Sequence, residues 1–176
     1  MLIYLFEKIK FGNTCTYMYI CILEMKLEKA IQSSKFKSEV QKAGLNILYT
    51  AWWLKTATSK ELKLFGLTHE QYNVLRILKG KHPEQMCVKD IAGRMIEKNS
   101  NVPRIIDRLV AKKLVKRSQC CNDGRQTVME LTTQGILILN NSNNKLDTLF
   151  ENLMSLNNKE AQALNQLLEK LRENEL

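Results

Sequence analysis

Histidine is scarce in this chain of 176 residues. There are two, His69 and His82, and neither has carboxylates or thiols at the spacing that holds a metal ion. Glycine-rich phosphate loops and nucleophile elbows are also missing. His69 beside Glu70 reads only as the start of a helix. These gaps argue against an enzyme and against a bound cofactor or metal. Long hydrophobic runs are lacking as well. The apolar stretch 17–23 is far too short to cross a bilayer, and no membrane partner is expected. Glu24 closes that stretch without a small-residue cleavage pattern, which is a poor fit to a secretory leader. Five cysteines make an odd number without framework spacing, and neighbouring Cys120 and Cys121 would bridge each other only with strain. Reduced thiols in a cytoplasmic protein are the expectation.

What is present is an ordinary globular composition, 44% hydrophobic, with a surplus of positive charge, formally +9. One domain is the default for this length, and the chain is long enough to bury a proper core. The surplus has a location. Residues 66–135 hold 13 Lys or Arg against 7 Asp or Glu, a difference of +6. Residues 88–125 alone hold 10 against 4, again +6, whereas 136–176 hold 4 against 6, or −2. A basic centre beside acidic helices suits a chain whose middle meets a polyanion.

In chain order, residues 1–24 are the least legible, and the charged, helix-forming sequence from Met25 reads as the functional start, with 1–24 an appendage. Between 34 and 65, Phe36, Val40, Ala43, Ile47, Ala51 and Leu54 recur every three or four residues, which predicts one long amphipathic helix. Gly66 ends it. Thr68 and Gln71 form a capping box for the next helix, whose buried stripe is Tyr72, Leu75 and Leu78, and which stops at Gly80 and Pro83. A helix over 88–95 follows. Ser100 is then the expected N-cap of a second helix over 101–113, with Pro103 tolerated in its first turn. Strands are predicted over 114–120 and 126–131, joined by an Asn122-Asp123-Gly124 turn. Thr132 caps a long helix to about 154, and Asn157 with Glu160 boxes a last one carrying Leu164, Leu167 and Leu171.

Short helix, tight turn, basic helix and hairpin is the order of a winged helix-turn-helix, whose second helix presents its N-terminus to a major groove. On that reading Asn101 pairs with adenine, Arg104 with guanine, and Pro103 touches a thymine methyl. Arg94, Lys98, Arg108 and Lys112 meet phosphates. The hairpin tip carries Arg125, steadied by Asp123, to a minor groove. Any one basic residue on a helix face is usually just solvated; the order of elements is what raises the odds.

The chain from about 36 to 172 resembles the MarR-type (multiple antibiotic resistance regulator) winged-helix transcription regulators of bacteria. The residues that carry the likeness are LTHEQYNVLRIL (67–78), VKDIAGRM (88–95), SNVPRIIDRLVAKKLVKR (100–117) and NDGRQTVMELTTQG (122–135). In the family pattern an Asp-x-Arg wing precedes a Leu-Thr strand end and a helix with glycine, here Asp123, Arg125, Leu131, Thr132 and Gly135. The chain departs from that pattern in running Lys113-Leu114 where glycine is usual at the helix exit, in Pro103, and in Cys87 at a cap position.

The resemblance implies a mainly α fold with a small β-hairpin wing (α+β). After the appendage at 1–24, it implies a dimerisation helix in 25–65, a winged helix-turn-helix DNA-binding domain in 66–135, and dimerisation helices in 136–176. It further implies a homodimer on a pseudo-palindromic operator in double-stranded DNA, acting as a ligand-responsive repressor. A small aromatic or phenolic effector would meet Tyr49, Trp52, Trp53 and Tyr72, whose other reading is core or dimer packing. Two alternatives stay open: a thiol-based redox sensor of the same fold using Cys120 and Cys121, and a winged-helix adaptor for protein or RNA.

Overall fold

The computed structural model describes residues 26–119 and 127–173. The chain divides after Thr50 into two compact units. In the first, α1 (Leu27–Ala30) buries Leu27, and Lys42 reaches Glu28 at 2.6 Å while its ammonium lies 5.7 Å from the Phe36 ring centre. Lys42 belongs to the long helix α2 (Glu39–Lys63). This helix begins later than its apolar spacing predicts. The Ser38 hydroxyl accepts the Gln41 N–H at 3.1 Å, a capping bond that fixes the start. Its apolar stripe is not a buried one in the single chain: Val40 is 80% exposed, and burial in α2 is confined to Thr58 and Leu62.

The second unit continues with α3 (His69–Lys79), β1 (Met86–Cys87), α4 (Val88–Arg94), α5 (Val102–Ala111), β2 (Val115–Gln119), β3 (Thr127–Leu131), α6 (Thr133–Leu153) and α7 (Asn158–Leu171). It is the winged helix-turn-helix arrangement, mainly helical with one small antiparallel sheet in the order β1-β3-β2. Both predicted capping boxes are present, on α3 and on α7, because each supplies two otherwise unpaired N–H groups with acceptors. Strand β1 was not expected. It is two residues long, pairing Met86 with Met129 and Cys87 with Val128, and so has no alternation to read. The hairpin pairs Val115 with Leu131 through Gln119 with Thr127. Its turn, with Cys120, Cys121, Asp123 and Arg125, lies outside the described residues.

The core lies where α3, α4, α5 and the sheet converge: Val74, Leu75, Leu78, Ile91, Met95, Ile106, Leu109, Val115 and Met129 are all buried. Two helix exits share one geometry. At Gly66 (φ +65°), Gly66 N–H donates to Lys63 and Leu67 N–H to Leu62, each at 3.0 Å. At Lys113 (φ +60°), Lys113 N–H donates to Val110 at 2.8 Å and Leu114 N–H to Leu109 at 3.0 Å. Both are Schellman turns, which place their last residue in the left-handed region that favours glycine. Lysine at 113 carries the strain that glycine at 66 avoids.

Directly after that turn two backbone segments approach closely. The Thr132 hydroxyl donates to the Lys113 carbonyl at 2.8 Å and accepts the Gly135 N–H at 2.9 Å, starting α6. A Cβ on Gly135 would sit 2.1 Å from the Leu114 carbonyl oxygen. Glycine is needed there for closeness, not for its dihedral freedom.

Two opposite outcomes follow for stability. Lys113→Gly relieves a left-handed residue worth roughly 1–2 kcal/mol, of which the greater freedom of unfolded glycine takes back about half. The urea midpoint should rise. Gly135→Ala forces two backbones apart and should cost on the order of 3 kcal/mol, lowering the midpoint.

Candidate nucleic-acid interface

Helix α5 has a sharply divided surface. Val102, Ile106 and Leu109 are buried and Ile105 and Val110 half-buried, packed on α3, α4 and β2. Pro103, Arg104, Asp107, Arg108 and Ala111 form the exposed face, spaced by four residues along two adjacent rows. Among the described residues the side chains of Arg104 and Arg108 make no hydrogen bond or ion pair, so both guanidinium groups stand ready for an outside acceptor. Asp107 would oppose an anion, but Arg117 on β2 holds it at 2.5 Å. Arg94, in the last turn of α4, is exposed too.

One sequence-based assignment changes, and two of the expected phosphate contacts have acceptors within the chain. The N-cap of α5 is Asn101, not Ser100: its side-chain oxygen accepts the Arg104 N–H at 3.2 Å. An Asn101 that paired with adenine through both its amide groups would give up that cap. Lys112, itself exposed, donates its ammonium to the Gly66 carbonyl and, at 2.9 Å, to the Gln71 side chain. It braces the exit of α5 where a phosphate contact was expected. Lys98 donates to the Gly93 carbonyl at 2.9 Å across the turn between α4 and α5.

That turn also holds residues that local pattern did not single out. Asn73 of α3 accepts the Ile96 N–H at 3.0 Å, while the Ile96 side chain stands 80% exposed. Glu97 pairs with Lys55 of α2, which also approaches Glu70 at 3.9 Å. The hydrogen bond that Lys55 donates to Glu97 pushes its ammonium pKa up from its ordinary range. Burial pushes the Glu70 carboxyl up, yet the Thr68 hydroxyl, its own backbone N–H, Lys55 and His69 together leave it below the usual range. These partners lie 23 and 42 residues from the turn. Only the folded chain brings them together.

The aromatic candidates fare differently. Trp52, 59% exposed, lines a shallow groove with Lys55, Thr56, Ser59, Lys60 and Lys63, all on α2. Tyr72 donates its hydroxyl to Asn143 of α6 at 2.7 Å, has Arg76 lying 5.9 Å from its ring centre, and is raised in pKa by burial. Trp53 is partly exposed and Tyr49 half-buried. Among the described residues no group of three or more His, Cys, Asp or Glu could hold a metal, and no helix is long and apolar enough to cross a membrane.

A family model described as MarR family matches residues 67–127, from just before α3 to the first residue of β3. Over those residues the chain is similar to the MarR family. It is 26% identical over 104 residues to the HTH-type transcriptional regulator PapX of Escherichia coli, covering 57% of this chain and 63% of PapX. The chain thus spans under two thirds of the length of that curated relative. A MarR transcription factor from Planctomyces limnophilus has a TM-score of 0.58 at 28% identity, over 78% of this chain and 96% of that one. A cysteine-to-serine mutant of Escherichia coli MarR complexed with operator DNA reaches 0.67 at 24% identity, over 78% and 99%. This last likeness is one of fold.

The base of the wing is held by polar groups on the sheet. Gln85 donates to Glu130 at 3.0 Å and to Ser118 at 3.2 Å, and Lys116 pairs with Glu130 at 2.9 Å. The hydrogen bonds from Gln85 and then Lys116 hold the Glu130 carboxyl below its usual range. A carboxylate depressed in the folded state stabilises it at pH values above the unfolded pKa of ~4.3. That stabilisation fades as pH falls through the folded value. Wild type should therefore exceed Glu130→Gln in urea midpoint at pH 6, and the gap should shrink steadily below about pH 4.

Proposed function

We propose that the protein is a sequence-specific DNA-binding transcription regulator that works as a homodimer on a pseudo-palindromic operator. One observation carries this reading. Arg104 and Arg108 stand exposed and unpaired on the outer face of α5, whose inner face is locked into the core. Arg104, in the first turn, is placed to read guanine at a base edge, where a bidentate pair discriminates by about 1–3 kcal/mol. Arg108, one turn on, and Arg94 suit phosphate. Pro103 beside Arg104 offers an apolar contact to a thymine methyl. The operator-bound Escherichia coli MarR, alike in fold, supports the same placement. Repression in response to a small aromatic or phenolic effector is the form of regulation we infer, with Trp52 on its exposed groove as the residue such a molecule would meet.

The homodimer has its own support. Helix α7 has no buried residue, and Leu164, Leu167 (66% exposed) and Leu171 repeat along it at three and four residues. A helix with such an apolar stripe needs a partner surface. Two-fold pairing would also set two copies of α5 about one DNA turn apart, ~34 Å. Sedimentation should give a dimer for wild type, and Leu167→Glu should shift it toward monomer.

Gel shifts with a duplex selected from a random pool test the DNA reading. Arg104→Ala should weaken binding to the selected duplex roughly 5- to 150-fold while barely changing binding to random duplex. Arg108→Ala should weaken both alike and flatten the salt dependence by about one counterion. Wild-type binding that ignores sequence, or prefers RNA, would favour an adaptor instead.

A further inference from the structure

Two exposed lysines near the proposed DNA-facing surface have their ammonium groups engaged by acceptors within the protein. Lys55, on α2, engages Glu97 in the turn before α5 and approaches Glu70 in the first turn of α3 at 3.9 Å. Lys112, the C-cap of α5, donates to the carbonyl of Gly66 and to Gln71. Gly66 closes α2, so its carbonyl lies at the negative end of that helix dipole, where a cation is favoured. Gln71 is buried, and the oxygen that receives Lys112 also accepts the Thr68 N–H at 3.2 Å. One ammonium is thereby tied to the capping box that starts α3. The two lysines fasten opposite ends of the segment 97–112 to the same region, where α2 gives way to α3.

We propose that Lys55 and Lys112 are positioning residues that clasp the helix-turn-helix onto the α2–α3 junction and so fix the angle at which α5 meets a duplex. This rests on the DNA-binding reading above and adds to it a route by which a displacement of α2 reaches the recognition helix. The clasps are partly exposed ion pairs and hydrogen bonds, which contribute little to global stability. Their leverage is geometric. The segment 95–101 is held to the rest of the fold by few other polar contacts, chiefly Asn73 to the Ile96 N–H. Loss of the Lys55–Glu97 pair frees the turn without unfolding the core. A lysine that met phosphate would have to abandon these partners, so neither should behave as a phosphate contact.

The test combines charge swapping with two readouts. Hydrogen exchange of the amides of 96–104 is measured without DNA for wild type, Lys55→Glu, Glu97→Lys and the double variant. Each single change should accelerate exchange by about threefold or more with the urea midpoint nearly unchanged, and the double variant should return toward wild type. Unaltered exchange in the single variants, or no restoration in the double, overturns the clasp at Lys55.

For Lys112→Met, which keeps most of the side-chain length, affinities for the selected and random duplexes are compared across salt concentrations. The ratio between them should fall about tenfold with an unchanged salt slope. Equal losses on both duplexes with the slope smaller by about one would mark Lys112 as a phosphate contact and overturn its clasp. Should wild type bind no duplex, the proposed function fails. The exchange experiment still decides whether Lys55 holds the turn, and exchange at 109–114 in Lys112→Met decides the other clasp by the same rule.

Discussion

A helix can offer one face to a partner only if its other face is held still. Here the hold is apolar: Ile106 and Leu109 are fully buried, and with Val102 they press α5 against α3, α4 and β2. Burying side chains of this size is worth about 1.5–3 kcal/mol each. That is far more than the exposed ion pairs around them supply. The core therefore decides that α5 stays, and the polar contacts at its ends decide how it is angled. Arg104 and Arg108 gain their exposure from the same periodicity that buries their neighbours.

The wing depends on this hold through a short chain of contacts. The left-handed turn at Lys113 drops the backbone from α5 into β2, and the Lys113 and Leu114 carbonyls then receive the Thr132 hydroxyl. Thr132 starts α6, and Gly135 allows α6 to lie against Leu114. One corner therefore sets the end of the recognition helix, the first rung of the hairpin and the start of a long helix. A shift in any of them is felt by the other two, since the backbones already touch.

Much of this was legible beforehand, and the reason is locality. Capping boxes at Thr68 and Asn157, the stop at Gly66 and the stripe of α5 are all decided within a few residues, so sequence spacing contains them. What eluded sequence was decided at a distance. Strand β1 exists because Met86 and Cys87 meet Met129 and Val128, some forty residues away. Ser100 and Asn101 are both good caps, and the start of α5 one residue later than the spacing predicts chose between them. The stripe of α2 was read as one apolar face, and in the single chain Val40 on it is 80% exposed, since periodicity tells which residues share a face and not what covers it. The partners of Lys112 escaped sequence for the same reason: its acceptors lie 46 and 41 residues earlier.

The engagement of Lys112 bears on how charge should be counted in such a domain. Ten basic residues lie in 88–125. Of these, Lys98, Lys112, Lys116 and Arg117 are engaged with Gly93, with Gly66 and Gln71, with Glu130 and with Asp107. Engagement with a carbonyl leaves the positive charge in place, so Lys98 and Lys112 still add to the field that draws in a polyanion. Engagement with a carboxylate cancels most of it, as at Lys116 and Arg117. Among the described residues, Lys89, Arg94, Arg104, Arg108 and Lys113 keep both their charge and their donors free. Attraction and recognition thus rest on different subsets of the same basic residues. The net charge of the segment reports the first and overstates the second.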